Sequence, residues 1–145
     1  CPLKDGENFD DYYFKFNEKE TTSLMELDIN TGYYTGIRKP FFNDENKINL
    51  SFSLFDNDAL VFDSLKSTKI TLKSDKNNKS LTMDYTGFPY LALWTKSTGA
   101  PFVCIEPWYG HSDFSNFKGE FKDRAGMLNL DVNKEFNASY NIHLK

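Results

Sequence analysis

One carboxylate in this chain stands where a carboxylate is expensive. Glu106 follows the apolar run Phe102-Val103-Cys104-Ile105 and precedes Pro107, Trp108 and Tyr109. Proline holds the chain extended there and brings no amide hydrogen. A charge at the end of such a strand costs free energy unless it is paired or used, which makes Glu106 a candidate general base. Trp108 and Tyr109 offer flat apolar surface with a hydrogen-bonding handle, the kind of surface on which the C–H faces of a sugar pack. The same residues permit a structural reading, in which Glu106 bonds neighbouring backbone or pairs with Arg124.

Other polar residues suggest what such a base would act beside. Asp56 and Asp58 flank Asn57 after a strongly alternating segment. Carboxylates accept hydrogen bonds from sugar hydroxyls, and the same trio also suits a polar turn closed by its own side chains. The spacing would fit a loose metal site, but it lacks the glycine and distal glutamate of a calcium loop. His111, in Trp108-Tyr109-Gly110-His111-Ser112-Asp113, is either an acid/base or substrate contact, or an ordinary loop residue beside a site. His111 and His143 are the two histidines, so a three-histidine zinc site is beyond this chain. Cys104 reads as a small hydrophobe, since no histidine accompanies it in a nucleophilic pairing. There is no phosphate-cradling glycine loop, no CxxC pair and no nucleophile elbow.

These residues need strands to position them. Tyr12, Phe14 and Phe16 share one parity within a ring-rich segment at 9–16, and a second strand is expected at 23–28 after a polar turn at Asn17-Glu18-Lys19-Glu20. Asn30-Thr31-Gly32 signals a turn and Lys39-Pro40 a break. Ile48, Leu50, Phe52 and Leu54 keep a period of two, which predicts one half-buried strand. Further strands are expected at 59–62, 68–72, 81–85, 90–94 and 102–105, with a solvated hairpin tip at 74–79. A loop entering a strand is expected at 124–130, and a terminal strand at 135–145 carries Phe136, Ala138, Tyr140 and Ile142 on one face. Short strands about every 8–12 residues, joined by polar turns, point to a sandwich or barrel.

Composition agrees. The 145 residues include 14 Phe and 8 Tyr, and aromatics make up 17% of the chain. That content fills a core and favours strands. The length suits one domain. With 17 Lys and Arg against 21 Asp and Glu, the net charge is -4. No basic stripe is present to hold a nucleic acid. No apolar run approaches the roughly 20 residues that cross a bilayer, and no signal peptide is seen. Cys1 and Cys104 make no disulfide framework, so a cytoplasmic, reducing location is expected. The glycosylation patterns at Asn78 and Asn137 carry no weight without secretion. The chain opens on Cys1-Pro2-Leu3 with no capped domain edge, from which further sequence upstream is expected.

Two segments resemble the aldose 1-epimerase (galactose mutarotase-like) superfamily, and its LacX-like branch in particular. They are Phe88-Pro89-Tyr90-Leu91-Ala92-Leu93-Trp94 and Ala100-Pro101-Phe102-Val103-Cys104-Ile105-Glu106-Pro107-Trp108-Tyr109-Gly110. The resemblance extends through Leu54-Phe55-Asp56-Asn57-Asp58-Ala59-Leu60, Arg124-Ala125-Gly126-Met127, Cys1-Pro2-Leu3 and Gly6-Glu7-Asn8-Phe9-Asp10-Asp11-Tyr12. It implies an all-β antiparallel β-supersandwich, of which residues 1–145 form the C-terminal portion of a single domain and which is incomplete here. It also implies an isomerase that interconverts the anomers of a monosaccharide such as galactose or glucose without cofactor or metal. Glu106 would be the base and Asp58, or Asp56 in its stead, a hydroxyl-binding residue; Trp108, Tyr109 and His111 are the candidate substrate contacts read from the residues themselves. The histidine acid and an arginine are expected upstream of Cys1, in the missing N-terminal part, which is the expected protein partner. Neither nucleic acid nor membrane is expected to bind. A non-catalytic sugar-binding protein and a hexose-6-phosphate epimerase, with Arg124 or upstream residues facing the phosphate, are the alternatives.

Overall fold

The computed structural model describes residues 6–145; the opening Cys1-Pro2-Leu3 motif lies outside them. Its dominant element is a long hairpin of β1 (Tyr12–Asp28) and β2 (Tyr33–Asn49). The predicted turn closes it. The Asp28 carboxylate accepts the Asn30 N–H at 2.9 Å and the Thr31 hydroxyl at 3.0 Å, and Gly32 takes a φ of 73°. Asparagine, aspartate and glycine dominate such turns because they bond their own backbone or tolerate positive φ.

Two segments expected to break the chain run through continuous strands. Asn17-Glu18-Lys19-Glu20 lies inside β1, where a shift in strand register falls between Lys15 and Glu20. Its side chains are occupied by the loop before the fourth strand: Asn17 Oδ1 accepts the Thr68 and Lys69 amides, and Glu20 accepts those of Lys66 and Ser67. Lys39-Pro40 lies inside β2, opposite Leu24 and Ser23. β2 is an edge strand, where a residue without an amide hydrogen is tolerated.

The strand predicted through Ile48, Leu50, Phe52 and Leu54 is likewise shorter than expected. β2 ends at Asn49, the Leu50 N–H reaches the Tyr12 carbonyl at 3.0 Å, and residues Phe52–Phe55 form a 3₁₀ turn. Phe52 leaves the alternation to stack on Phe9, with centroids 4.3 Å apart.

The remaining strands are β3 (Leu60–Phe62), β4 (Lys69–Ser74), β5 (Ser80–Asp84), β6 (Tyr90–Trp94), β7 (Cys104–Trp108) and β8 (Asn141–Leu144). β7 begins two residues later than predicted, and thus includes Glu106 and Pro107. No strand forms within residues 124–130, and the terminal strand is confined to β8, with Phe136 and Tyr140 exposed ahead of it.

Pairing is antiparallel throughout the two sheets, which run β2-β1-β4-β5-β8 and β3-β6-β7. The core lies between them. Tyr12, Phe14, Phe16, Ile70, Leu72 and Met83 from the larger sheet meet Leu60, Phe62, Leu91, Leu93 and Ile105 from the smaller. Phe16, Phe42 and Phe62 tie β1, β2 and β3 together through ring contacts of 5.5–6.2 Å. The alternation that puts these residues inward is the period of two that a strand imposes. The result is an all-β antiparallel sandwich. At one edge it is uncovered: Ile142 and Leu144 of β8 pair with Met83 and Leu81, yet are 50% and 75% exposed.

Candidate functional site

The outer face of the smaller sheet carries a second apolar cluster. Inward residues of β3 and β6 alternate with Val61 and Ala92, which meet Met25 and Tyr34 from the distal half of the long hairpin. Trp108, Tyr90, Leu27, Ala59 and Phe114 pack around this cluster and remain half-buried. The hairpin therefore bends over the small sheet, leaving a cleft of about 600 Å³.

Four of the five residues singled out in the sequence line this cleft: Asp58, Trp108, Tyr109 and His111. Glu106 does not. It sits opposite Ala92 on the same face of β7 as Trp108, two residues away, or about 7 Å along a strand. Glu106 is half-buried, and its neighbour on that face is Cys104. The Cys104 thiol is pushed up by burial, and further by the Glu106 charge and a hydrogen bond to it. Cys104 is a free thiol. Pro107, between Glu106 and Trp108, also borders the cleft and sits on the edge strand β7 of the described sheet.

Asp58 has a definite local task. It adopts a φ of 74°, its amide reaches the Phe55 carbonyl at 3.1 Å, and its carboxylate accepts the Ala59 amide at 2.7 Å. Aspartate tolerates this left-handed conformation better than most residues. One carboxylate edge is thereby tied to the turn while the residue borders the cleft. Asp56 is exposed and is not among the cleft-lining residues, so of the two aspartates Asp58 is the one beside it.

His111 is held in an aromatic corner. Its ring meets Tyr34, Tyr90 and Phe114 edge-on, with centroids 5.3, 4.8 and 5.6 Å away. Nδ1 lies 2.6 Å from the Ser112 carbonyl. The Tyr34 hydroxyl is pushed up to about 12, chiefly by burial and then by the negative charges of Asp58 and Asp63. It stays protonated at neutral pH, able to donate. Tyr34 went unrecognised in the sequence because β2 shows no clean alternation, although it directly follows the turn at Gly32.

Arg124 does not pair with Glu106. It pairs with Asp113 through Nε, and its Nη2 donates to the His111 carbonyl at 3.0 Å. That correction removes the structural partner considered for Glu106, and it engages the cation considered for a phosphate. Among the described residues no group of three or more His, Cys, Asp or Glu is placed to hold a metal ion.

The fold is a galactose mutarotase-like β-sandwich. The X-ray structure of a galactose mutarotase related enzyme from Lactobacillus acidophilus superposes with a TM-score of 0.89 at 29% identity, covering 100% of this chain and 48% of that one. A galactose mutarotase-like protein from Lactobacillus casei ATCC 334 shares the fold at a TM-score of 0.73 and 21% identity, over 93% of this chain and 45% of its own. Within that class the chain is homologous to the LacX proteins of Lactococcus lactis subsp. lactis. It is 37% identical to the chromosomal form and 36% to the plasmid form, over 98% of its own length. It spans about half the length of these relatives, 48% in each case. No family model matches the chain.

Proposed function

We propose that the protein to which these residues contribute is an aldose 1-epimerase acting on a hexose such as galactose or glucose. The observation that carries the reading is the arrangement on one face of β7. Glu106 adjoins Trp108, which lines a cleft shared with Tyr109, Asp58 and His111. Trp108 and Tyr109 supply the surface for the apolar face of a pyranose, and Asp58 and His111 supply polar contacts for its hydroxyls.

In this reading the Glu106 carboxylate takes the proton of the anomeric hydroxyl. The C1–O1 bond becomes a carbonyl, the C1–O5 bond breaks, and O5 takes a proton from an acid supplied by the rest of the protein. Rotation about C1–C2 turns the other carbonyl face toward O5. Closure reverses both transfers and yields the other anomer. A positioned acid or base contributes about 10²–10⁴-fold to such a step. Polarimetry of freshly dissolved α-galactose and α-glucose with the intact gene product tests this. Glu106→Gln is expected to lose about 10²–10⁴ of the rate over buffer; a folded variant that keeps the full rate refutes the role.

The remaining part of the protein is also the proposed partner of the uncovered apolar surface. Leu128, Leu130 and Val132 are 54%, 58% and 86% exposed, and β8 forms the open edge of the larger described sheet. Open strand edges and apolar surface of this kind invite association. Residues 1–145 alone are therefore expected to be inactive and to self-associate on size-exclusion chromatography. A compact, active monomer would contradict this.

A second reading has its own observation. Glu106 is absent from the lining of the cleft, as a sugar-binding protein without catalysis allows. Sugar-dependent quenching of tryptophan fluorescence, with anomer conversion at the buffer rate, favours that reading.

A further inference from the structure

We infer that Arg124 and Asp113 are positioning residues that fix His111 with its proton on Nδ1, so that Nε2 is presented as a hydrogen-bond acceptor. As a contact for a sugar hydroxyl, this role rests on the reading above; the tautomer does not.

The geometry is local but depends on distant residues. Arg124 donates to the His111 carbonyl on one side of Ser112 and pairs with the Asp113 carboxylate on the other. The Asp113 carbonyl accepts the Tyr34 amide at 2.8 Å, and the Ser115 amide reaches the Tyr34 carbonyl at 2.9 Å, anchoring the segment to β2. Ser112 thus lies in a backbone segment gripped at both ends, and its carbonyl faces Nδ1 at 2.6 Å. A carbonyl can only accept, so the neutral ring must place its single proton on Nδ1. Nε2 is then left with a lone pair.

Gly126 keeps that nitrogen accessible. A Cβ there would lie 3.0 Å from His111 Cδ2, 3.1 Å from Nε2 and 3.3 Å from the Tyr90 hydroxyl, and the glycine φ of 77° disfavours any other residue. Any side chain at position 126 would crowd Nε2 and the Tyr90 hydroxyl, so glycine is what leaves the lone pair uncovered on this side. Arg124 and Gly126 stand two residues apart, so one short segment both grips the backbone of His111 and clears space at its ring.

Nitrogen-15 NMR of histidine-labelled intact gene product reads the tautomer directly, with His111 resonances identified by their loss in His111→Gln. At a pH where the ring is neutral, protonated Nδ1 and unprotonated Nε2 are expected. Arg124→Lys, which keeps the charge but not the planar fork, is expected to move the ring toward the Nε2–H form and to weaken galactose binding about tenfold. Asp113→Asn is the second variant, expected to shift the tautomer the same way. An Nε2–H wild-type ring overturns the inference, as does an Nδ1–H ring unchanged in both folded variants. The expected tautomers in a protein that neither binds nor converts sugar would overturn the functional reading alone.

Discussion

Glu20 is the residue whose replacement should reveal most about how the two sheets are joined. It lies within β1, is 1% exposed, and its two carboxylate oxygens accept the Lys66 amide at 3.1 Å and the Ser67 amide at 2.7 Å. Those amides belong to the link between β3 of the small sheet and β4 of the large one. In Glu20→Gln the side-chain oxygen satisfies one amide, while the NH₂ group confronts the other, donor against donor. A hydrogen bond to a charged group contributes about 1.5–3 kcal/mol, and a buried donor left unmet costs about 1–3 kcal/mol. Relief from burying a charge offsets part of the loss, so the net destabilisation is expected to be about 3 kcal/mol. With a urea m-value of about 3 kcal/mol/M, the unfolding midpoint of the intact gene product should fall by about 1 M. A shift below about 0.2 M, at unchanged m, would refute the view that this carboxylate holds the connection.

Tyr34 should impose an alkaline limit on stability. Its hydroxyl, normally near 10.0, is raised to about 12 in the fold, so the unfolded chain loses its proton first. The Tyr34 contribution is full below about pH 10 and falls by up to about 3 kcal/mol between pH 10 and 12; Tyr34→Phe should lessen the alkaline decline in pH-dependent urea melts, leaving the part due to Tyr85, whose hydroxyl burial also raises. The Tyr85 hydroxyl is buried without a hydrogen-bond partner among the described residues. Tyr85→Phe should leave stability unchanged or raise it by about 1 kcal/mol, read as a shift in denaturation midpoint. Asp58→Asn should preserve the turn yet weaken sugar binding, whereas Asp58→Ala should also lower stability by about 1–2 kcal/mol through its φ of 74° and the lost bond to Ala59. Fluorescence titration and melts on the same samples separate the two effects.

The candidate site was partly legible because Asp58, Trp108, Tyr109 and His111 carry their chemistry in residue type, and three of them are neighbours in the chain. Arg124 pairing with Asp113 was not legible. Either Asp113 or Glu106 is a chemically suitable partner, and only the path of the loop brings the former into reach. Tyr34 was hidden for a related reason: its burial comes from residues far along the chain, including Val61 and Ala92.

Strand boundaries failed where local polarity was overruled from a distance. Asn17 and Glu20 read as a turn because both are polar, yet they stay in β1 by accepting amides from residues 66–69. The opposite error occurred at the C-terminus. Phe136, Ala138, Tyr140 and Ile142 alternate as well as the residues of any strand in the chain, but only the stretch opposite Leu81 to Asp84 becomes one. A period of two records which side chains could share a face; a strand also needs a partner whose amides and carbonyls it can meet. β5 is five residues long, and its edge is filled by four residues of β8 together with two bonds between Ser80 and Lys145. Residues 136–140 meet no such edge among the described residues, so their alternation forms no strand, and Phe136 and Tyr140 instead set their rings against Tyr109 and Phe88, with centroids 4.9 and 6.4 Å apart.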